Sequence, residues 1–304
     1  MDGKTLLYDH RILLEEDEGS GYLDDYTSYR YLNQAAVEFN ARTKALKGYQ
    51  EITTVAEQTD YNLNADFMGV YTYNSDREQF IRYYDTSAYH NITSKQYEEV
   101  IEEINTDSVL VPSHYMIKDK ATLPTQVTGT ATSAGDATGG AATLTASAST
   151  FVTSLVSPGD IVHNTTDGSS GVVLSITSET ALVCALFNGT GNDWDTNDTF
   201  VIQPQNRYVL VLDPPPSTAG HTVTVYNLKR PAPVYSDYGM FRFPTHYSNA
   251  LVAYAAWLYK YKDNEPDYGD KWFGVFDRAV RQHNIEVNGN LRRKQFRVNL
   301  KNRQ

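Results

Sequence analysis

The sequence predicts an α+β protein: a helical-bundle framework carrying a β-hairpin or small sheet, interrupted by an all-β insert built as a small barrel or sandwich. Three observations predict it. Between Thr125 and Gln203 the chain has no Tyr, Lys or Arg, although the whole protein carries 23 Tyr and 26 Lys plus Arg. Such a break marks a separately built module, because one core and one surface tend to draw on one residue mixture. Outside the break, apolar stripes at helical spacing recur near both ends; inside it, short alternating runs are separated by turn dipeptides. Residues 1–124 and 206–290 are therefore expected to form one framework domain, 125–203 the insert, and 291–304 a basic C-terminal arm.

Taken in order, the first clear helix is expected after a cap at Thr27 or Ser28, with Leu32, Ala36, Phe39, Thr43 and Leu46 on one face and Gly48 to stop it. Extended segments follow through YQEITTVAEQTDYNL, with QFIRYY (79–84) the strongest strand candidate. A second helix is expected from Thr93 or Ser94, placing Tyr97, Val100, Ile101 and Ile104 together and four glutamates outside. HYMIKD and RYVLVLDPPP read as strands on either side of the insert. An insertion is best tolerated where two strands would otherwise be joined by a turn. TVTVYNL is a further strand, and two helices close the framework, one from Thr245 or Ser248, the other from Pro266 with Trp272, Phe273, Phe276, Val280 and Val287. Within the insert, Pro158-Gly159 and Asp167-Gly168 punctuate alternating runs in the manner of a small sheet or barrel.

Chemistry-bearing patterns are sparse. The single Cys184 sits among Leu182, Val183, Ala185 and Leu186, the setting of a buried inert thiol, and one cysteine cannot form an intrachain bridge. The seven histidines show neither i, i+4 pairing nor a cysteine partner, so no zinc site is expected. GDATGG and DGSSG lack the Lys of a phosphate-binding loop and read as Gly-rich turns. NDWDTNDT spaces Asp193, Asp195 and Asn197 as a calcium loop would, but lacks its Gly and closing Glu; an acidic turn with Trp194 packed inward is the plainer reading. Neither a cofactor nor an enzyme activity is expected. No charged-then-apolar leader opens the chain and no run of about 18 apolar residues occurs, so neither a signal peptide nor a membrane span is expected.

The net charge of −11 is uneven. Glu15 to Glu18 with Asp24 and Asp25 form one acidic run, and the insert adds further uncompensated acids. Against these, the last fourteen residues, LRRKQFRVNLKNRQ, hold no acid at all. They read either as a solvated end or as a docking arm, mobile when free. The abundance of Tyr outside the insert favours extensive subunit contacts.

The framework segments YRYLNQAAVEFNARTKAL, EITTVAEQTDYNL, LDPPP, TVTVYNLKRP and FPTHYSNALVAYAAWLYKYKDNEPDYGDKWFGVFDRAV together resemble the head-to-tail connector, or adaptor, proteins of tailed bacteriophages. The resemblance implies a cyclic oligomer, typically of twelve copies, in the virion neck beneath the portal protein, folded in the cytoplasm of the infected cell before assembly. Tail or nozzle proteins would bind below, and DNA would pass through the channel without sequence-specific contact. It also implies that the C-terminal segment reaches into the portal. Here that segment would use the apolar Leu291, Phe296, Val298 and Leu300 with the basic Arg292, Arg293, Lys294, Arg297, Lys301 and Arg303. The insert is not part of the usual adaptor pattern. Two other classes stay open: a carbohydrate-binding virion module acting through the loop at Asp193, Trp194 and Asp195, and a carboxylate hydrolase, for which no acid pair stands out.

Overall fold

The computed structural model describes residues 1–15, 23–64, 66–71, 79–95, 107–120, 124–137, 140–205, 208–235, 239–262 and 266–299, of which 262, 266, 268 and 287–299 are described by backbone alone. The chain divides into two compact units, Met1–Ala45 with Pro233–Gln304, and Leu46–Ala232.

The first unit is helical. Helix α1 (Gly3–Leu14) is capped by Asp2, whose carboxylate accepts from the Thr5 N–H at 2.8 Å. Helix α2 (Asp25–Thr43) is capped in the same way by Asp24, which accepts from the Thr27 N–H at 2.6 Å. The cap therefore falls just before the expected Thr27, because a carboxylate at this position satisfies a free amide of the first turn. Lys44, left-handed at φ 56°, ends the helix; Gly48 does not. A 3-10 turn (Thr245–Tyr247) leads into α3 (Ser248–Lys262), and α4 spans Pro266–Asn299. Phe39 organises the core: fully buried, it meets Phe243 edge-on at 5.4 Å and also touches Tyr247, Phe276 and His283. Helix α1 escaped the sequence reading because its buried stripe of Leu6, Leu7 and Leu14 is broken by a buried histidine, His10.

The second unit overturns the expected helical bundle with a minor sheet. The helices among the described residues cover only 27% of the chain, and an eight-stranded sheet is the main structure of this unit outside the insert. Its strands are β1 (Lys47–Thr53), β2 (Asp60–Asn62), β3 (Phe67–Val70), β4 (Phe80–Tyr84), β5 (Tyr89–Ser94), β6 (His114–Asp119), β13 (Tyr208–Asp213) and β14 (Thr222–Lys229). They run in the order β1-β14-β4-β5-β6-β13-β2, with β3 also on β14. The side-chain amide of Gln50 on β1 donates to the Asn62 carbonyl at 3.2 Å and accepts from the Asn64 N–H at 2.8 Å, so the two outermost strands are clasped and the sheet is barrel-like. Ile81, Tyr83, Ile92, Leu210, Val223 and Val225 fill its interior. The sheet differs from the expected bundle for a reason of range. Helical stripes are local, whereas β1 finds its partner β14 in a register that sets Tyr49 opposite Tyr226. Thr93 and Ser94, expected to cap a helix, instead close β5; the rest of that expected helix, with Tyr97, Val100, Ile101 and Ile104, lies outside the described residues. Gly48 lies in β1, where a Cβ would meet only the flexible Lys229 side chain, 2.2 Å from its Cε.

Strands β6 and β13 pair along their whole length, from His114 opposite Asp213 to Asp119 opposite Tyr208. The chain between them builds a second sheet from β7 (Val127–Thr130), β8 (Ala142–Thr145), β9 (Ile161–Asn164), β10 (Ser169–Ser178), β11 (Ala181–Phe187) and β12 (Thr199–Gln203). The order is β7-β12-β9-β10-β11-β8, and the Thr132 N–H donates to the Thr145 carbonyl at 2.7 Å, linking the two ends. At its base the Gln203 side chain donates to the Pro124 carbonyl at 2.9 Å, and buried Asp160 accepts from the Ser157 and Gln205 N–H groups. Burial raises the Asp160 pKa, against the lowering by these hydrogen bonds.

Asn227 on β14 is fully buried, and among the described residues neither side-chain amide atom has a hydrogen-bond partner. Asn227→Val removes a desolvated polar group from a strand, so stability should rise by about 1–3 kcal/mol. A urea unfolding midpoint that fell instead would show that the amide is satisfied in solution.

Candidate functional site

The proposed docking residues map to the end of α4. Pro266 suits a first helical turn, Asp267 follows it near the positive end of the helix dipole, and no Gly or Pro interrupts the last turns after Gly289. Up to Glu286 the helix is tied to the unit: the Tyr247 hydroxyl donates to the Glu286 carboxylate at 2.8 Å and the Gln282 amide donates to it at 3.1 Å. Burial and then the neighbouring carboxylate push the Tyr247 hydroxyl up to about 12, while the Tyr247 bond holds Glu286 below its usual value. Residues 287–299 continue the helix for about 20 Å at 1.5 Å per residue. Leu291, Arg292, Arg293, Lys294, Phe296, Arg297 and Val298 therefore share one helical backbone, whereas Leu300, Lys301 and Arg303 lie outside the described residues. Cations here suit the negative end of the helix dipole.

The other chemistry-bearing residues are drawn into structural roles. Trp194 is packed inward at 1% exposure, and its indole N–H donates to the Cys184 sulfur at 3.2 Å. Burial pushes the Cys184 thiol up to about 12, the opposite of nucleophile activation. The Asn164 amide donates to Asp167 and Asp198, both at 3.0 Å, and this pins the acidic loop. Among the described residues no group of His, Cys, Asp or Glu is placed to hold a metal ion, and no helix is long and apolar enough to cross a membrane.

One surface was missed in the sequence. On the outer face of β1, β14, β4 and β5 stand Tyr49, Tyr226, Arg82, Tyr84 and Tyr89; Tyr49 and Tyr89 are 60% and 67% exposed. The Arg82 guanidinium lies 5.9 Å from the ring centres of both Tyr89 and Tyr226, and Tyr84 packs on Tyr89 at 4.7 Å. Period-two spacing, as in Arg82 and Tyr84, was the available signal, but it does not reveal which strands lie side by side.

The described chain thus combines two sheets with filled interiors and a long helix ending in an acid-free basic run. The comparison with known families narrows this: residues 116–298, more than half of the chain, match the family described as SU10 adaptor protein, and the chain belongs to that family. It is thus a phage head-tail adaptor, a virion component of the head-tail region that meets other virion proteins. The match ends at Val298, within the basic part of α4. No curated protein matches the chain.

Proposed function

We propose that this adaptor forms a closed ring, of twelve copies, between portal and tail, and that the C-terminal end of α4 seats each copy on the portal while DNA passes through the ring. The observation that carries the reading is the family match, which includes residues 291–298. A ring follows from one repeated heterologous contact that closes. Cationic residues of the arm meeting an acidic portal surface would make attachment fast at low salt and weaker at high salt. Several arms engaging together supply avidity without further contacts. Tail or nozzle proteins occupy the opposite side of the ring in this reading, and the protein acts by geometry, without catalysis.

Electron microscopy of the purified protein, alone and mixed with portal, tests the ring. Truncation after Asn290 tests the arm: attachment to a DNA-free portal should fall by at least about tenfold. Normal attachment of the shortened chain to that portal would refute docking through the arm, and a DNA-free portal excludes contact between the arm and DNA as the cause.

The domain partition is proposed on the pairing of β6 with β13. Replacing residues 125–203 by a short Gly/Ser turn should leave a folded chain, because the loop joins two strands that are already paired. Retention of the far-ultraviolet circular dichroism of the helices and one cooperative transition are expected. Aggregation would count against independent folding of the two parts.

A further inference from the structure

We infer that the outer face built by Tyr49, Tyr226, Arg82, Tyr84 and Tyr89 receives the acidic tip of the insert from a neighbouring copy of this chain. The inference rests on the ring reading, since a ring that closes through heterologous contacts needs two different, complementary surfaces on every copy.

The face has the makeup of an interface centre. Tyrosine and arginine are the residues that dominate binding energy, and a stacked guanidinium has already lost much of its conformational freedom before any partner arrives. Among the described residues Arg82 makes no ion pair, and its charge is held over two rings. Opposite charge is what such a centre lacks. Glu51 on β1 is the one acid among the strand residues bordering this face; it sits opposite Thr224, which in turn sits opposite Arg82.

The insert supplies that opposite charge. It has no Lys or Arg, and apart from Asp160 at the base and Glu179 at the β10–β11 turn its acids lie in the segments around Asp136, Asp167 and Asp193 to Asp198. Gly135 and Trp194 exchange backbone hydrogen bonds of 2.7 and 3.1 Å, bringing the segment of Asp136 beside that of Asp193 and Asp195. A Cβ on Gly191 would lie 3.0 Å from the Asp167 carboxylate and 3.2 Å from that of Asp193, so these two acids also share the tip. Asp136 and Asp195 are exposed. A nucleic-acid strand fits the face less well, because tracking phosphates takes a row of cations and, among the described strand residues of this face, Arg82 is joined only by Lys47, which is drawn over the Tyr71 ring.

The test uses single-cysteine surface variants of the full chain; the native Cys184 is buried. Tyr89→Cys and Asp195→Cys, mixed and treated with a short bismaleimide, should give a cross-linked dimer that neither variant gives alone. Arg82→Glu in the first variant should lower the yield by about tenfold, and adding Asp193→Lys to the second should restore it. If the wild-type protein forms rings but the mixture does not cross-link, this surface is wrong and the ring stands. Cross-linked open chains without rings would keep the contact and overturn the ring. Dimers from either variant alone, or rings indifferent to Arg82→Glu, would overturn the inference and leave the face to a different virion protein or to a glycan.

Discussion

Replacing Trp194 with alanine should destabilise the insert by about 3–5 kcal/mol, the usual cost of truncating a large buried aromatic. The side chain is 1% exposed, meets Phe200 edge-on at 6.2 Å, and donates its indole N–H to Cys184 at 3.2 Å. Its loss leaves a cavity, removes one of the two hydrogen bonds at the Cys184 sulfur, which keeps its bond to the Ala142 carbonyl, and also loosens the loop that pairs Gly135 with residue 194. A barrel of about 80 residues holds about 4–12 kcal/mol in all, so the substitution removes a large share of its stability. Scanning calorimetry should show the insert melting well before the eight-stranded sheet, with Trp194→Phe intermediate. A Trp194→Ala protein with a single transition at the wild-type temperature would contradict both the packing and the separate folding of the insert.

Acid should weaken the helical unit through His10. This side chain is fully buried on α1, and among the described residues neither ring nitrogen has a partner in hydrogen-bond geometry. Burial is the main cause that lowers its pKa from 6.5 to about 4; Arg11 adds to the lowering, and the nearby Ala255 backbone offsets part of it. Because the folded pKa lies below the unfolded one, the unfolded chain binds the extra proton. Stability is therefore full above about pH 6.5, falls as pH drops towards 4, and levels off below that. The total loss is about 3 kcal/mol, at about 1.4 kcal/mol per pH unit. Chemical unfolding of the wild type and His10→Leu at pH 7.5 and pH 4.5 isolates this contribution, since the carboxylates and the other histidines are common to both. Equal pH dependence in the two proteins would show that His10 is already solvated or paired in the folded state.

The same two residues mark how far the sequence could be read. The inward packing of Trp194 is legible in the sequence, because an aromatic between two acids has one apolar direction to turn. His10 gave no such signal. A polar residue inside an apolar stripe looks like the end of the stripe, and only the helices packed around α1 show that it is buried.

What the sequence determined by itself was local. The start of α4 at Pro266, the strands His114–Asp119 and Tyr208–Asp213, and the adaptor texture of the C-terminal helices follow from caps, turn residues and periodicity within a few residues of each site. The tertiary structure decided what those elements are paired with. Whether scattered short strands remain accessories to a helical bundle or close into an eight-stranded sheet depends on contacts such as Tyr49 with Tyr226 and Gln50 with Asn62 and Asn64. Side-chain alternation tells a strand which face is buried but not which neighbour it will have, so the sheet and the tyrosine-arginine face on its outside exist only once distant segments meet.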